Sequence, residues 1–269
     1  MLLSFSCGCA VCFFNLFCNL GAERSPAKPI FYFCICVTTI AIVNNLFEVL
    51  WFGCDFLSGP IDIVRCLHNA FRRDVFQIDD AVFKIARGGG DLTLVLDRLH
   101  VMGEVLDYHA RGEEVAVFPA VDTVAPLVAK AYLMDHRELD VMVSGLEAMR
   151  KTPDPLVTAR ATAVLNSHLR IHLDKEDAHL YAILRERTTE SEQASIVGIM
   201  SKKVPPERFP TLIQWLFPLL DFEDQLVVTK GWMTLMPPQV FAGLKPLIKQ
   251  TVAENWVKLA QLIPELNDK

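Results

Sequence analysis

Cysteine is missing from most of this chain, and histidine is missing from both of its ends. All eight cysteines lie within the first 66 residues of the 269, and all seven histidines lie between residues 68 and 179. A disulfide framework is therefore excluded from residue 67 onward, and such a composition suits a reducing compartment. We expect a cytoplasmic protein, with attachment to a membrane as the alternative that the first residues raise.

Clusters of basic residues are missing as well. The net charge is −6 and the sequence pI is about 5.7, so nucleic acid is not expected as a partner. No nucleophile–base pair or phosphate-binding loop is recognisable. The glycine run RGGGD at residues 87–91 ends a predicted helix instead of following a strand, which argues against a dinucleotide-binding fingerprint.

Residues 1–58 form a separate, apolar and cysteine-rich segment. Two long apolar runs occupy residues 2–21 and 30–54, and Glu48 is the only charged residue in either. The second run exceeds the roughly 20 residues that a membrane-spanning helix needs. Two interpretations stay open: a membrane segment at 30–54, or a start codon that was assigned too early.

From residue 61 onward, apolar residues recur at helical spacing in four successive segments. We expect the second helix to end near Pro119, the third to begin near Pro126, and the third to close before the KTPDP stretch. Four such helices with short connections predict an antiparallel four-helix bundle over residues 61–186. The whole fold is predicted to be all-α.

Residues 187–269 are predicted to form a helical C-terminal extension. VPPERFPTLIQWL and MPPQVFAGLKPLI repeat at an offset of 32 residues, which pairs Pro205 with Pro237 and Phe209 with Phe241. Each copy has the form of a helix that proline opens at its first turn. We expect this extension to cover the bundle or a second copy of the chain.

Polar residues interrupt the apolar faces of all four predicted helices. Two of the segments contain the same pattern, HARGEEVAVF and HLDKEDAHLY. In each, a Glu lies four positions after the His, and an aromatic residue lies five positions after that Glu. Residues four apart lie about 40° apart around a helix and about 6 Å apart along it, so each His and Glu face one point. The residues concerned are His68, His109, Glu113, His136, His172 and Glu176.

A buried carboxylate without a partner is unfavourable, so these six residues predict a bound cation in the core. Imidazole and carboxylate together suit iron, manganese or zinc, and helix bundles that direct Glu and His inward hold pairs of metal ions. Four imidazoles and two carboxylates suffice for a two-metal centre with bridging carboxylates. Glu114 and Asp177 are expected to be solvated and His100 to lie on the opposite face, while His168, His179 and Asp140 stay open as additional ligands.

Four sequence elements in residues 61–186 resemble the hemerythrin HHE cation-binding family. They are HNAFRRD with His68, HARGEE with His109 and Glu113, DHRELD with His136, and HLDKED with His172 and Glu176. The resemblance implies a four-helix bundle holding a non-haem, oxo- or hydroxo-bridged centre of two iron ions that can engage dioxygen. Oxygen-carrying hemerythrins have a histidine where this chain has Asp140. They also have an aspartate ligand five residues after the position of His172. This chain has Asp177 at that position, but its predicted ligand is Glu176, one residue earlier.

The resulting functional hypothesis is a hemerythrin-like metal-binding protein that senses or handles oxygen, iron or redox state. Its expected cofactor is two iron ions, with other divalent metals as alternatives, and its expected small-molecule partner is dioxygen, another diatomic ligand or peroxide. A protein partner is left unspecified. The alternatives are a di-iron oxidase or peroxidase-like enzyme, an oxygen carrier or storage protein, and a structural bundle whose histidines bind nothing.

Overall fold

The computed structural model describes residues 59–267, and every regular element in this range is helical. The α-helices are α1 (Ile63–Gly88), α2 (Thr93–Gly112), α3 (Phe118–Val124), α4 (Ala129–Met149), α5 (Pro155–Lys175), α6 (Tyr181–Arg187), α7 (Glu190–Ser201), α8 (Phe209–Leu216), α9 (Phe222–Leu235), α10 (Pro238–Thr251) and α11 (Trp256–Leu262). Short 3-10 turns occupy Pro60–Asp62, Pro206–Arg208, Phe217–Leu219 and Pro264–Leu266. The predicted all-α class is confirmed for this part of the chain.

Two π-helical turns lie inside the bundle and join α-helices without a break. Glu113–Val117 links α2 to α3, and Glu176–Leu180 links α5 to α6. In each turn, the backbone N–H of the residue that follows donates to the carbonyl of the glutamate five residues earlier. A π turn inserts one residue into a helix and is frequently found at functional sites.

Local sequence signals set the ends of the long helices. Helix α1 stops because Gly89 adopts φ +79°, a left-handed conformation that glycine takes without strain. Helix α5 begins after Asp154, whose side chain accepts a hydrogen bond from the Val157 backbone N–H, and Pro155 occupies its first position.

Helices α1, α2, α4 and α5 pack into a helical bundle with buried apolar residues in two clusters. Helix α1 lies against α2 and α5, and α4 lies against the same two helices. Each of the four contributes fully buried side chains, among them Phe71, Met102, Leu146 and Leu169. Burying a side chain of this size stabilises the fold by about 1.5–3 kcal/mol. This burial determines which face of each helix turns toward the core, and the metal-binding candidates lie on those faces.

The C-terminal helices continue the same core. Helix α9 packs on α1 so closely that a Cβ atom on Gly231 would lie 2.2 Å from Ile63 Cδ1, so a larger residue there would require the Ile63 side chain to move. The Trp215 indole of α8 donates a hydrogen bond of 2.5 Å to the buried carboxylate of Asp74 in α1. The extension therefore covers one side of the bundle, the first of the two arrangements expected from the sequence.

Two of the predicted helix boundaries are wrong. The second helical path continues past Pro119 to Val124, because Pro119 lies just after the π turn Glu113–Val117, where the regular α-helical hydrogen-bond ladder is already interrupted. The third helix begins at Ala129, because Leu127 takes φ +74° and breaks the path after Pro126.

The apolar N-terminal segment and its candidate span at 30–54 lie outside the described residues. Among helices within residues 59–267, none combines the length and apolar character needed to cross a bilayer.

Candidate metal centre

The structure brings the side chains of all six predicted residues together at the centre of the bundle. His68 comes from α1, His109 from α2, His136 from α4 and His172 from α5, and Glu113 and Glu176 open the two π turns. All six are buried, and they form two groups of four in which the potential ligand atoms lie within 4.8 Å of one another.

The first group contains His68 and His109. His68 Nε2 lies 3.1 Å from His109 Nε2, and His109 Nε2 lies 3.3 Å from Glu113 Oε1. The second carboxylate reaches the same place, because Glu176 Oε2 lies 3.7 Å from His68 Nε2. Two imidazole nitrogens and one oxygen from each glutamate therefore converge on one point.

The second group contains His136 and His172 and uses the other oxygens of the same glutamates. His136 Nε2 lies 3.2 Å from Glu113 Oε2, and His172 Nε2 lies 3.2 Å from Glu176 Oε1. Each carboxylate therefore offers one oxygen to each pair of histidines. Carboxylates placed in this way are able to bridge two cations.

Several atoms at the centre of this cluster lack hydrogen-bond partners. They are Glu113 Oε2, both carboxylate oxygens of Glu176, and His136 Nε2. Buried acceptors without donors are strongly unfavourable unless a cation compensates them. The donor set of neutral nitrogen and anionic oxygen fits iron, manganese or zinc, so these residues are suited to hold such ions.

The ionisation of the cluster reflects the same need for positive charge. Burial lowers the pKa of His109 to about 3 and that of His172 to about 4. Burial alone would also lower the pKa of His136, but the nearby charges of Glu113 and Glu176, with oxygens 3.2 and 3.8 Å from His136 Nε2, raise it to about 10. Burial, together with the Glu113 charge, raises the pKa of Glu176 to about 7. Protons therefore supply positive charge near neutral pH when metal is absent.

Carboxylates lie behind three of the four imidazoles. His68 Nδ1 lies 2.9 Å from Asp177 Oδ1, His136 Nδ1 lies 3.2 Å from Glu114 Oε1, and His172 Nδ1 lies 3.2 Å from Asp135 Oδ2. Such contacts keep the proton on Nδ1 and leave Nε2 free to bind a metal. The expectation that Glu114 and Asp177 are solvated is therefore wrong, because each turns toward the histidine of a neighbouring helix.

The aromatic residue of each repeated pattern also belongs to the centre. The Phe118 ring stacks on His136 with centroids 5.1 Å apart, and the Tyr181 ring meets His68 edge-on at 5.4 Å. The Tyr181 hydroxyl donates a hydrogen bond to Glu113 Oε1. In an unbroken α-helix these aromatic residues would point about 140° away from the preceding glutamate, so the wider π turns bring them inward.

The remaining polar candidates lie away from the centre. His168 pairs weakly with Glu138 at 3.8 Å, His179 Nδ1 contacts its own helix at the Lys175 carbonyl oxygen, and Asp140 lies 3.5 Å from Arg137. His100 lies at the surface, where its Nδ1 is 3.0 Å from Glu147. His100 therefore lies outside the cluster, but not on the opposite face, because it lines the surface groove that ends at His109, His136 and His172. None of the three open candidates reaches the cluster.

An open groove leads from the protein surface to the centre between α2 and α4. Its volume is about 450 Å³, and its inner end is formed by His109, His136 and His172. Its outer part carries the carboxylates of Glu104, Asp107, Asp140 and Glu147. Burial raises the pKa of Asp107 despite the nearby Arg111, and the Asp140 and Glu114 charges add to this effect. Each of these four carboxylates forms an ion pair with an arginine: Glu104 with Arg208, Asp107 with Arg111, Asp140 with Arg137 and Glu147 with Arg150.

Comparison with known families identifies one match, which covers the bundle. Residues 59–184 match the family model described as Hemerythrin HHE cation binding domain. The match covers slightly less than half of the chain and includes all six residues of the cluster. The resemblance that the sequence elements predicted is thereby confirmed.

Similar proteins come from Arabidopsis thaliana. Zinc finger protein BRUTUS is 24% identical over 165 residues, which cover 59% of this chain and 13% of that protein. A BRUTUS-like zinc finger protein is 21% identical over 192 residues, covering 64% of this chain and 15% of its own length. The chain thus spans only a small part of these relatives. No solved structure is significantly similar to it.

Proposed function

We propose that residues 59–184, a hemerythrin HHE cation binding domain, hold two iron ions, and that the protein senses or handles iron, oxygen or redox state. The observation that carries this proposal is the division of each carboxylate between two histidine pairs. Glu113 directs Oε1 toward His109 and Oε2 toward His136, and Glu176 directs its oxygens toward His68 and His172. A pair of cations is the arrangement that satisfies all four oxygens.

Each of the two ions would be held by two histidines and by both glutamates. His68 and His109 would hold one ion, His136 and His172 the other, and Glu113 and Glu176 would bridge both. Bound iron supplies a centre that can change its oxidation state. The surrounding chain orients the imidazoles through Asp177, Glu114 and Asp135 and surrounds the centre with packed helices.

The groove supports handling of a small ligand at this centre. A volume of about 450 Å³ ending on three of the four histidines is ample for dioxygen, another diatomic molecule or peroxide. The same access is what an oxidase or peroxidase-like enzyme requires, so consumption of peroxide by iron-loaded protein is the measurement that favours this second candidate.

The test of metal binding is the metal content of the purified full chain. We expect about two iron ions per chain in the protein, and substantially less in Glu113→Gln and Glu176→Gln, which keep size but lose bridging charge. His100→Ala is the matched control, because His100 lies at the surface and should leave the content unchanged. Equal iron content in all four proteins would contradict the proposal.

A second measurement separates sensing from reversible oxygen carriage. Anionic oxygen ligands favour the higher oxidation state of iron, so the reduced protein should oxidise in air and remain oxidised. The visible spectrum is recorded after anaerobic reduction, after admission of air, and again under vacuum. Return of the reduced spectrum under vacuum would identify an oxygen carrier instead.

A further inference from the structure

The two halves of the metal centre differ in the groups behind their histidines. In the half containing His136 and His172, both Nδ1 atoms lie 3.2 Å from carboxylate oxygens. In the other half, His68 has Asp177 behind it, but His109 Nδ1 is buried and has no hydrogen-bond partner. Three of the four imidazoles thus have a carboxylate of their own next to Nδ1, and His109 has none.

The repeat in the sequence explains what is missing. Asp135 immediately precedes His136 and contacts His172, the partner histidine of the same half. The corresponding position in the other half is Leu67, which immediately precedes His68. Leu67 and His109 both line an apolar cavity of about 110 Å³. A leucine therefore occupies the place from which a carboxylate would reach His109.

The bridging carboxylates are also unequal on the two sides. Glu113 Oε1, the oxygen 3.3 Å from His109 Nε2, accepts the hydrogen bond of the Tyr181 hydroxyl. Glu113 Oε2, the oxygen facing His136, has no hydrogen-bond donor. The aromatic counterpart of Tyr181 is Phe118, which has no hydroxyl to donate. A carboxylate oxygen that accepts a hydrogen bond from a phenol is a weaker metal ligand. This weakening applies to Glu113 Oε1 and therefore to the His68–His109 half alone.

We propose that the two halves bind metal unequally. The His136–His172 half takes the first ion and holds it more tightly, and the His68–His109 half is the exchangeable position. Loss of a carboxylate behind a ligating histidine weakens metal binding roughly 10–100-fold, which sets the expected difference in affinity. This inference rests on the proposed two-metal function. It identifies the second position as the one whose occupancy changes when the supply of metal changes.

Titration of the metal-free full chain with Co²⁺ alone tests the order of binding, because Co²⁺ absorbs in the visible and is not oxidised readily by air. We expect two dissociation constants that differ by at least about 10-fold. His109→Ala should keep the tighter ion, and His136→Ala should lose it. Equal constants, or loss of the tighter ion in His109→Ala, would overturn the inference. Absence of any Co²⁺ or iron binding would instead overturn the proposed function.

Restoring the missing carboxylate tests the cause of the difference. Leu67→Asp should strengthen binding of the second ion by about 10-fold, and the uncharged, similarly sized Leu67→Asn should strengthen it less. Circular dichroism establishes whether both variants fold. If they do not, Asp135→Asn decides, because it should weaken the first ion selectively. A Leu67→Asp protein that folds and binds like Leu67→Asn, or an Asp135→Asn protein that keeps its first ion unchanged, would refute the role assigned to these positions.

Discussion

Tyr181 donates a hydrogen bond to Glu113 across 68 residues of sequence and thereby joins the two copies of the repeated pattern. The tyrosine follows the glutamate of the second copy, and the acceptor is the glutamate of the first. Both residues are buried, and burial together with the Glu113 and Glu176 charges raises the pKa of Tyr181 well above 10. The hydroxyl therefore stays protonated and acts as a fixed donor.

Replacement of Tyr181 by Phe should destabilise the metal-free protein. A buried hydrogen bond to a carboxylate contributes about 1.5–3 kcal/mol, so the free energy of unfolding should fall by about that amount. Urea unfolding in the presence of a chelator measures it. Tyr108→Phe is the control, because its hydroxyl donates to Glu104 in a partly exposed position and its loss should matter less. An equal effect of the two substitutions would contradict the structural role of the Tyr181 hydroxyl.

Metal binding should release protons, and the apparent affinity should rise with pH. At pH 7, His136 with a pKa of about 10 is protonated, and the pKa of Glu176, raised to about 7, keeps this carboxyl partly protonated. Ligands bind metal in their deprotonated forms, so about one to two protons should leave per chain. Calorimetry in two buffers of different ionisation enthalpy counts them. Affinity that stays constant between pH 6 and 8 would rule this out.

The six inner residues could be predicted from sequence because helical periodicity alone places them. His109 and Glu113 are four residues apart, and so are His172 and Glu176, which puts each pair on one face of any α-helix. His68 and His136 fall on the apolar stripes of their own helices. The inward direction of each residue therefore follows from its own segment and requires no knowledge of how the helices pack.

The carboxylates behind the histidines could not be predicted in the same way. Asp177 and Glu114 each follow an inward glutamate by one residue, so they point about 100° away from it. That direction leads to solvent on an isolated helix but to a neighbouring helix in the bundle. Asp177 thus lies beside His68, which precedes it by 109 residues. Only the packing of α1 against the helix path through α5 and α6 determines this contact.

The sequence contains a sign of the two π turns, but helical periodicity alone does not predict a π turn from it. An aromatic residue follows each inward glutamate by five positions, Phe118 in one copy and Tyr181 in the other. Normal α-helical spacing would turn both residues away from the centre. Their presence in both copies was the available signal, but its meaning depends on an inserted residue that no propensity rule predicts.

Removal of residues 1–58 should leave a soluble protein that binds as much metal as the full chain. All six residues of the cluster lie between residues 68 and 176, and the buried apolar core of the bundle begins at Ile61. No upstream residue is needed as a ligand. Metal analysis and size-exclusion chromatography of the truncated and full-length proteins give the comparison. Aggregated or metal-free truncated protein would mean that the apolar segment contributes to the fold.

Obstruction of the groove should slow metal uptake without changing the amount bound. Ser144 is an exposed residue of α4 that lines the groove between the surface and the centre, and it does not belong to the cluster. A Trp side chain at this position should narrow the passage and leave the ligands in place. We therefore expect Ser144→Trp to bind Co²⁺ to the same final stoichiometry, with an uptake rate lower by on the order of 10-fold.

The matched control for this obstruction is Ala148→Trp, one turn further along the same helix. Ala148 is exposed and does not line the groove, so an equally bulky side chain there should leave the uptake rate unchanged. Uptake is followed by stopped-flow absorbance after mixing metal-free protein with excess Co²⁺. Equal rates for Ser144→Trp and Ala148→Trp would show that metal reaches the histidines by another path.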